Sequence, residues 1–322
     1  MTWLVTGGAG FIGSHVVRAL LAEGLRVVVL DDLSTGYKSR VPDGVPLELA
    51  SVRDRAALDR VLAEHEISGV VHIAAKKQPA ESVARPLWYY EQNVDSLRVL
   101  LEAMVAAGVP RLVFSSSAAV YGSPDVPEIT EDTPCTPLNP YGETKLVGEW
   151  LIRATAHAHG LSYANLRYFN VAGAGSPELA DPTASNLVPM VFERLEAGLP
   201  PLIFGDDYDT PDGTAIRDYI HVSDIAGAHV AAARRLGSGE PAALTLNIGR
   251  GEGVSVRQLV DRILQHTGSD LAAEVTGRRP GDGARSIASA ARIKAELGWS
   301  AQYDVADMVA SAWSGRRLRH DG

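Results

Sequence analysis

A single cysteine, Cys135, in 322 residues leaves no partner for an internal disulfide and argues against a thiolate metal site. Long hydrophobic runs are missing too. No stretch approaches the roughly 18 apolar residues of a membrane helix. The chain enters its first strand at Trp3 with neither a basic n-region nor an apolar h-region before it. Basic charge is also scarce: 30 Lys and Arg against 39 Asp and Glu give a net charge of −9, which offers no electrostatic footprint for nucleic acid. The short basic end, Arg316-Arg317-Leu318-Arg319, reads as a solvated terminus. The nine histidines show no metal-ligand constellation. His157 and His159, two apart near a helix end, fall on different faces and suit capping or surface roles. What remains, at 46% hydrophobic and 21% charged, is the profile of a globular enzyme. It is expected to be soluble and cytoplasmic, and long enough to bury a sizeable core.

Strand-like and helix-like segments alternate from the start. Trp3–Thr6, Arg26–Leu30, Leu47–Ala50, Val70–Ile73 and Leu112–Ser115 read as strands. Ser14–Glu23, Arg55–Glu64 and Val94–Ala107 read as helices, the last with Val94, Leu97, Leu101 and Met104 on one face. Continuous β-branched strands separated by helices imply an α/β fold, a Rossmann-like doubly wound parallel sheet covered on both sides. Beyond about residue 170 Gly, Pro and Asp become frequent and the elements shorten. This predicts a Rossmann-like domain over 1–170 and a smaller C-terminal α/β lobe over 171–322 that contributes one wall of a cleft, packed as one unit.

Two motifs carry chemistry. Gly7-Gly8-Ala9-Gly10-Phe11-Ile12-Gly13 satisfies G-x-G-x-x-G directly after a strand, with Asp31 closing the next strand. Such a turn brings backbone close to a pyrophosphate at a helix N-terminus. A carboxylate at Asp31 accepts from ribose hydroxyls and repels a 2′-phosphate, which favours NAD over NADP. The second motif is Tyr141 and Lys145, four apart on one face of a helix capped by Asn139, opened by Pro140 and ended by Gly160. Ser117 ends the Ser115-Ser116-Ser117 run of the preceding strand. A protonated ammonium beside the phenol favours the phenolate, which would make Tyr141 a base near neutral pH. Ten Tyr and five Lys would yield roughly 0.16 such pairs by chance in this length, so an incidental exposed pair is the weaker reading.

With these residues the chain resembles the extended short-chain dehydrogenase/reductases, and within them the UDP-glucose 4-epimerases. The likeness runs nearly end to end. It includes Lys77 after the fourth strand, Ser115-Ser116-Ser117-Ala118-Ala119-Val120-Tyr121-Gly122, Pro140-Tyr141-Gly142-Glu143-Thr144-Lys145 and Leu166-Arg167-Tyr168-Phe169-Asn170. Downstream come Ser185-Asn186-Leu187-Val188-Pro189, Ile203-Phe204-Gly205, Arg217-Asp218-Tyr219-Ile220-His221-Val222 and Arg278-Arg279-Pro280-Gly281-Asp282.

The resemblance implies a set of ligand contacts. Gly7, Gly10, Phe11, Ile12, Gly13, Asp31, Asp32, Leu33, Ser34, Thr35 and Gly36 would hold NAD. Ser51, Val52, Ile73, Ala74, Ala75, Lys77, Gln92 and Asn93 would do so too, with Tyr141 and Lys145 and with Tyr168 near the nicotinamide. Asn170, Asn186, Leu187, Ile203, Phe204, Arg217, Arg279, Asp282 and Ser286 would bind a UDP-sugar together with Ser117 and Tyr141. Two arginines suit a diphosphate, although Arg217 has a rival reading as a salt bridge to Asp218. The implied activity is C4 epimerisation of UDP-glucose and UDP-galactose through a 4-keto sugar, by a homodimer pairing through Val94–Ala107 and the Tyr-Lys helix, where Leu146, Trp150 and Leu151 lie.

Alternatives follow from the same family. A different UDP-sugar (N-acetylated, pentose or uronate), a net nucleotide-sugar dehydrogenase and a silent NAD-binding sensor all share this frame. A 4,6-dehydratase or a UDP-glucuronate decarboxylase would carry an Asp or Glu beside the catalytic hydroxyl. Ala118 and Ala119 stand there instead, and neither moves a proton. Three departures matter. Ala119 replaces a common Thr, Ser51 replaces an Asp that meets adenine, and Ser286 stands where a bulky Tyr narrows the sugar pocket. The last predicts acceptance of UDP-N-acetylglucosamine or another enlarged sugar.

Overall fold

The computed structural model describes residues 1–181, 183, 186–279 and 281–318. Ser185, Pro280 and Arg319 of the motifs above lie outside them. In chain order the strands are β1 (Thr2–Thr6), β2 (Arg26–Asp31), β3 (Leu47–Leu49), β4 (Gly69–His72), β5 (Arg111–Ser117), β6 (Ser162–Tyr168) and β7 (Asn170–Ala172). They continue as β8 (Leu202–Phe204), β9 (Ile216–His221), β10 (Ala243–Ile248), β11 (Gly253–Ser255), β12 (Glu274–Thr276) and β13 (Arg285–Ser286). The helices are α1 (Phe11–Ala22), α2 (Arg55–Glu64), α3 (Pro79–Ala84), α4 (Pro86–Tyr90), α5 (Ser96–Ala106) and α6 (Pro140–His159). After them come α7 (Leu187–Glu196), α8 (Val222–Gly237), α9 (Val256–Thr267), α10 (Ala291–Leu297) and α11 (Val305–Leu318).

Two compact units share this chain. The first is Met1–Gly122, Pro137–Arg167 and Ala226–Leu246; the second is Ser123–Thr136, Tyr168–Ile225 and Asn247–Gly322. The sequence suggested one division near residue 170, whereas the chain passes between units several times. One cause is β10, the terminal strand of the first unit's sheet, which the chain reaches only after building β7 to β9; another is Ser123–Thr136, which belongs to the second unit.

The first unit holds a seven-stranded sheet in the order β3-β2-β1-β4-β5-β6-β10, with β1 parallel to both β2 and β4. Strand order reverses between β1 and β4, so the crevice beyond their carboxyl ends is where this architecture places a ligand. Val27–Leu30 and Val70–Val71 are buried, as continuous apolar strands between two helical layers must be. On one side Leu58, Val61 and Leu62 of α2 pack with Leu97, Leu100, Leu101 and Met104 of α5 and with Leu112 and Phe114 of β5. The second unit centres on β9, flanked by β11 and β13 and paired also with β7. Its core joins Val188, Val191 and Phe192 of α7 to Leu259, Val260 and Ile263 of α9 and to Met308 and Val309 of α11.

Two helix boundaries differ from expectation. Helix α1 starts at Phe11, not Ser14, because Gly10 caps it by backbone geometry alone. The Ser14 hydroxyl donates to the Phe11 carbonyl inside the helix. The first two residues of the predicted helix, Val94 and Asp95, belong to a π-turn, Glu91–Asp95, and the segment becomes α-helical only at Ser96. Single π-turns inside helices cluster at functional sites, and this one carries Gln92 and Asn93.

Candidate active site

Three loops meet at the carboxyl ends of β1, β2 and β4. Gly7 has φ 74°, and a Cβ there would lie 2.8 Å from the Ala74 amide nitrogen, so only glycine lets the first loop touch the third. The amides of Ile73 and Ala74 both donate to the Thr6 carbonyl at 3.1 Å. Asp31 is buried and accepts from the amides of Ala9 at 2.9 Å and Leu33 at 2.8 Å. Burial raises its pKa against those two bonds. Leu33 is held at φ 55°, a left-handed conformation costly for a leucine and typical of ligand loops. Asp32 accepts from the Ser34 amide, and Ser51 from the Arg53 amide. Val52 is a core residue.

These features fit a dinucleotide. Helix α1 opens with no side-chain cap and no acidic first turn, leaving its N-terminal amides and dipole for a pyrophosphate. Asp31 retains lone pairs beyond its two backbone donors for ribose hydroxyls.

The third loop carries Lys76 and Lys77. Lys77 is exposed, whereas the ammonium of its neighbour Lys76 donates to the Ser34 hydroxyl at 3.0 Å and lies 5.5 Å from the Trp88 ring centre. Asn93 is committed to the protein itself. Its carbonyl accepts from the Lys76 amide at 2.8 Å, and its NH2 donates to the Lys76 carbonyl and to Thr144 Oγ1, each at 3.0 Å. It ties the loop to the Tyr-Lys helix, while Gln92 is half-buried beside it.

Asn139 caps α6 by accepting from the Gly142 amide at 3.0 Å, Pro140 opens it, and Gly160 ends it at φ 71°. Gly148 lets α6 lie close to β5, since a Cβ there would sit 3.0 Å from the Phe114 ring and 3.1 Å from Leu97. Tyr141, Lys145 and Ser117 are all buried, and Ser117 hydrogen-bonds the Tyr141 phenol. The Lys145 ammonium donates to the Ser115 carbonyl at 2.8 Å and lies 5.0 Å from the Phe114 ring centre. Within the chain alone burial opposes the expected acidification. Burial raises the Tyr141 pKa, against the lowering effect of Ser117. Burial also brings Lys145 from 10.5 down to about 7, with Glu149 opposing.

Glu149, one turn beyond Lys145, is the residue that motif reading missed. It forms a buried two-point pair with Arg167, at 2.9 Å from Nε and 2.5 Å from Nη2. It also accepts from the Ser116 hydroxyl at 2.5 Å. Arg167 Nη1 donates to the Tyr121 hydroxyl at 2.8 Å. One carboxylate thus joins α6 to the end of β5 and to β6, beside Ser117. A charged residue at i+4 on a helix face looks like an ordinary solvated pair, and only the tertiary contact reveals its role.

In the second unit the structure gathers most of the expected nucleotide-sugar residues. Arg217 does not pair with Asp218, because alternation along β9 turns the two to opposite faces. Instead its guanidinium lies 3.6 Å from Asp282. Asp218 is wholly buried and accepts from the amides of Arg250, Gly251 and Ala288. Ser286 on β13 stands in register with Arg217. Arg279 stacks 3.8 Å over the Phe204 ring. Asn170 pairs in register with Tyr219. Asn186 precedes Leu187 at the start of α7 and donates to Asp181 at 3.4 Å. Ile203 is the exception: it is fully buried in the second core, which leaves only its backbone for a ligand. Tyr168 ends β6 and is half-buried.

A Gly-rich strand-to-helix turn with a ribose-suited carboxylate, followed by a buried Ser-Tyr-Lys set, defines an NAD-binding enzyme of the short-chain dehydrogenase/reductase class. Residues 3–249 match the NAD dependent epimerase/dehydratase family, and the chain belongs to that family. It is 46% identical over 319 residues to a UDP-glucose 4-epimerase of Azospirillum brasilense, covering 98% of this chain and 91% of that one. A crystal structure of UDP-glucose 4-epimerase from Bifidobacterium longum in complex with NAD+ and UDP superposes with TM-score 0.92 at 37% identity, covering 100% of both chains. The UDP-Glc/GlcNAc 4-epimerase of Campylobacter jejuni superposes with TM-score 0.88 at 35% identity, covering 98% of this chain and 99% of that one. Among the described residues no helix is long and apolar enough to cross a membrane.

Two predictions follow from the buried charges. Glu149→Ala leaves Arg167 buried without its counter-charge and should cost about 3–5 kcal/mol of stability in chemical denaturation; a loss below about 1 kcal/mol would contradict the clamp. The second concerns pH. Below about pH 7 folded and unfolded chains both hold the Lys145 proton, and the full cost of burying the ammonium is felt. Between about 7 and 10.5 the folded chain sheds it first, so stability is gained as pH rises. In the nucleotide-free protein, the unfolding free energy of wild type relative to Lys145→Met should therefore increase from pH 7 to 10. A flat difference would refute the shift.

Proposed function

We propose that this protein interconverts UDP-glucose and UDP-galactose by inverting C4 of the sugar, with NAD retained through turnover. The observation that carries the reading is the buried Ser117–Tyr141–Lys145 set followed by Ala118 and Ala119. It can move a proton to and from a hydroxyl but lacks the extra carboxylate that elimination or decarboxylation needs. The similarity to curated UDP-glucose 4-epimerases over nearly the whole chain supports it.

Bound NAD would take the C4 hydride and give it back, and its cationic ring would favour the Tyr141 phenolate that the chain alone does not. Tyr141 removes the O4 proton as base and returns it as acid. Ser117 donates to O4 and relays the proton. Lys145 spends one of its three donors on Ser115 and keeps two for the nicotinamide ribose and the phenolate. The 4-keto sugar must then turn about its link to the diphosphate. That requires a firmly held nucleotide and a loosely held hexose. Arg217, Arg279, Asp282, Asn170, Asn186, Leu187, Phe204 and the Ile203 backbone would supply the anchor.

Trp150 of α6 is 51% exposed, as are Val83 of α3 at 63% and Leu87 of α4 at 85%. Leu146 is buried, and Leu151 packs against the core. Helix α5 likewise buries most of its apolar residues. A homodimer, in our reading of a cytoplasmic enzyme, would therefore pair through α3, α4 and Trp150 rather than through Val94–Ala107 and the leucines.

Tyr141→Phe should retain NAD and lose about 10²–10⁴-fold of its activity on a panel of UDP-sugars, scored by C4-inverted products; undiminished turnover sinks the assignment. Ser286, small and beside Arg217, should admit a 2-N-acetyl group. Wild type should then epimerise UDP-N-acetylglucosamine, and Ser286→Tyr should lose that activity while keeping UDP-glucose. Inability of wild type to use the N-acetyl sugar at all would end this part of the proposal.

A further inference from the structure

We infer that the Tyr208 hydroxyl donates a hydrogen bond to a diphosphate oxygen of the bound nucleotide sugar. The inference rests on the nucleotide-sugar reading above and adds a residue that neither the motifs nor the resemblance singled out. Tyr208 is 5% exposed, and its hydroxyl has no hydrogen-bond partner. Among the described residues only Thr2 Oγ1 and Asn165 Oδ1 share that state, both in the first unit. Two other buried tyrosines are satisfied: Tyr89 bonds the Gln78 backbone and Glu81, and Tyr121 accepts from Arg167. A buried hydroxyl without a partner is unfavourable and persists where the group has another use.

The ring is held on several sides. Gly205 makes room for it, since a Cβ there would come within 2.8 Å of Cε2. The Arg278 guanidinium covers the ring at 4.0 Å from its centre, and Arg278 is in turn fixed to Asp207 at 2.6 Å. The Tyr208 amide donates to the Gly213 carbonyl at 2.9 Å, and its own carbonyl accepts from Thr210 at 2.8 Å. The phenol cannot easily swing away to find water.

Its electrostatic neighbours are Asp282, Arg278, Arg217 and Asp207. Arg217 and Asp282 face each other at a loose 3.6 Å. The phenol has one proton to give, and the cations beside it seek an anion. A diphosphate brings acceptor oxygens to both at once, whereas a ribose hydroxyl would satisfy the phenol without engaging the arginines.

Tyr208→Phe keeps the ring and removes only the hydroxyl. With NAD-loaded enzyme, calorimetry should find UDP binding weakened about 10- to 100-fold, while uridine, measured as a competitor, changes little. KM for UDP-glucose should rise more than kcat falls. The ligand-free melting temperature should hold or increase, because an unsatisfied group has gone. Unchanged UDP affinity overturns the proposal, since the hydroxyl is then satisfied by water. Equal losses for UDP and uridine overturn it too, placing the bond on the nucleoside. Wild-type enzyme that fails to bind UDP removes the underlying reading and this donor with it. Wild-type binding with an indifferent variant removes the donor alone.

Discussion

Glu149 and Arg167 form an ion pair in the interior of the first unit, and the order of the reacting groups depends on it. A buried charge must be matched or it unfolds its surroundings, so this pair admits one arrangement of three elements. Ser116 is drawn to the carboxylate, which sets the end of β5 and hence Ser117. Lys145 lies a turn before Glu149 on the same helix face, and its ammonium is fixed to the Ser115 carbonyl. Tyr141 follows a further turn back. The helix cannot slide or rotate without breaking a bidentate bond.

The pair also shapes the electrostatics. Burial alone makes both Tyr141 and Lys145 reluctant to ionise, and the Glu149 carboxylate works against that for the lysine. A chain built this way holds its base in reserve. The phenol is positioned, burial holds its pKa above the ordinary value, and bound oxidised NAD would bring a positive charge to the site. That economy suits an enzyme whose cofactor must be present before a hydroxyl proton is worth removing.

The two units divide the work by chemistry. The first supplies a backbone-lined dinucleotide turn and the proton-transfer set. The second supplies cations stacked on aromatic rings, Arg279 on Phe204 and Arg278 on Tyr208. Stacking keeps a guanidinium planar and desolvated on one face, which prepares it for phosphate oxygens. The Arg217–Asp282 contact is loose at 3.6 Å, which in the proposed reading leaves Arg217 available to a diphosphate.

The doubly wound sheet, the glycine turn, Asp31 and the Ser-Tyr-Lys set were legible in the sequence. Each depends on local rules: strand and helix periodicity, a left-handed glycine, a capped helix with four-residue spacing. Acceptance of a dinucleotide followed from those rules too. The tertiary structure alone decided that Lys76 reaches Ser34, that Asn93 pins a loop to α6, that Arg217 faces Asp282, and that Ile203 belongs to the core. It also decided that the chain crosses repeatedly between its units and that the Tyr141 phenol starts above its ordinary pKa. These are properties of burial and of partners distant in sequence. They arise only when a strand's two faces meet different surroundings, which no spacing along the chain encodes.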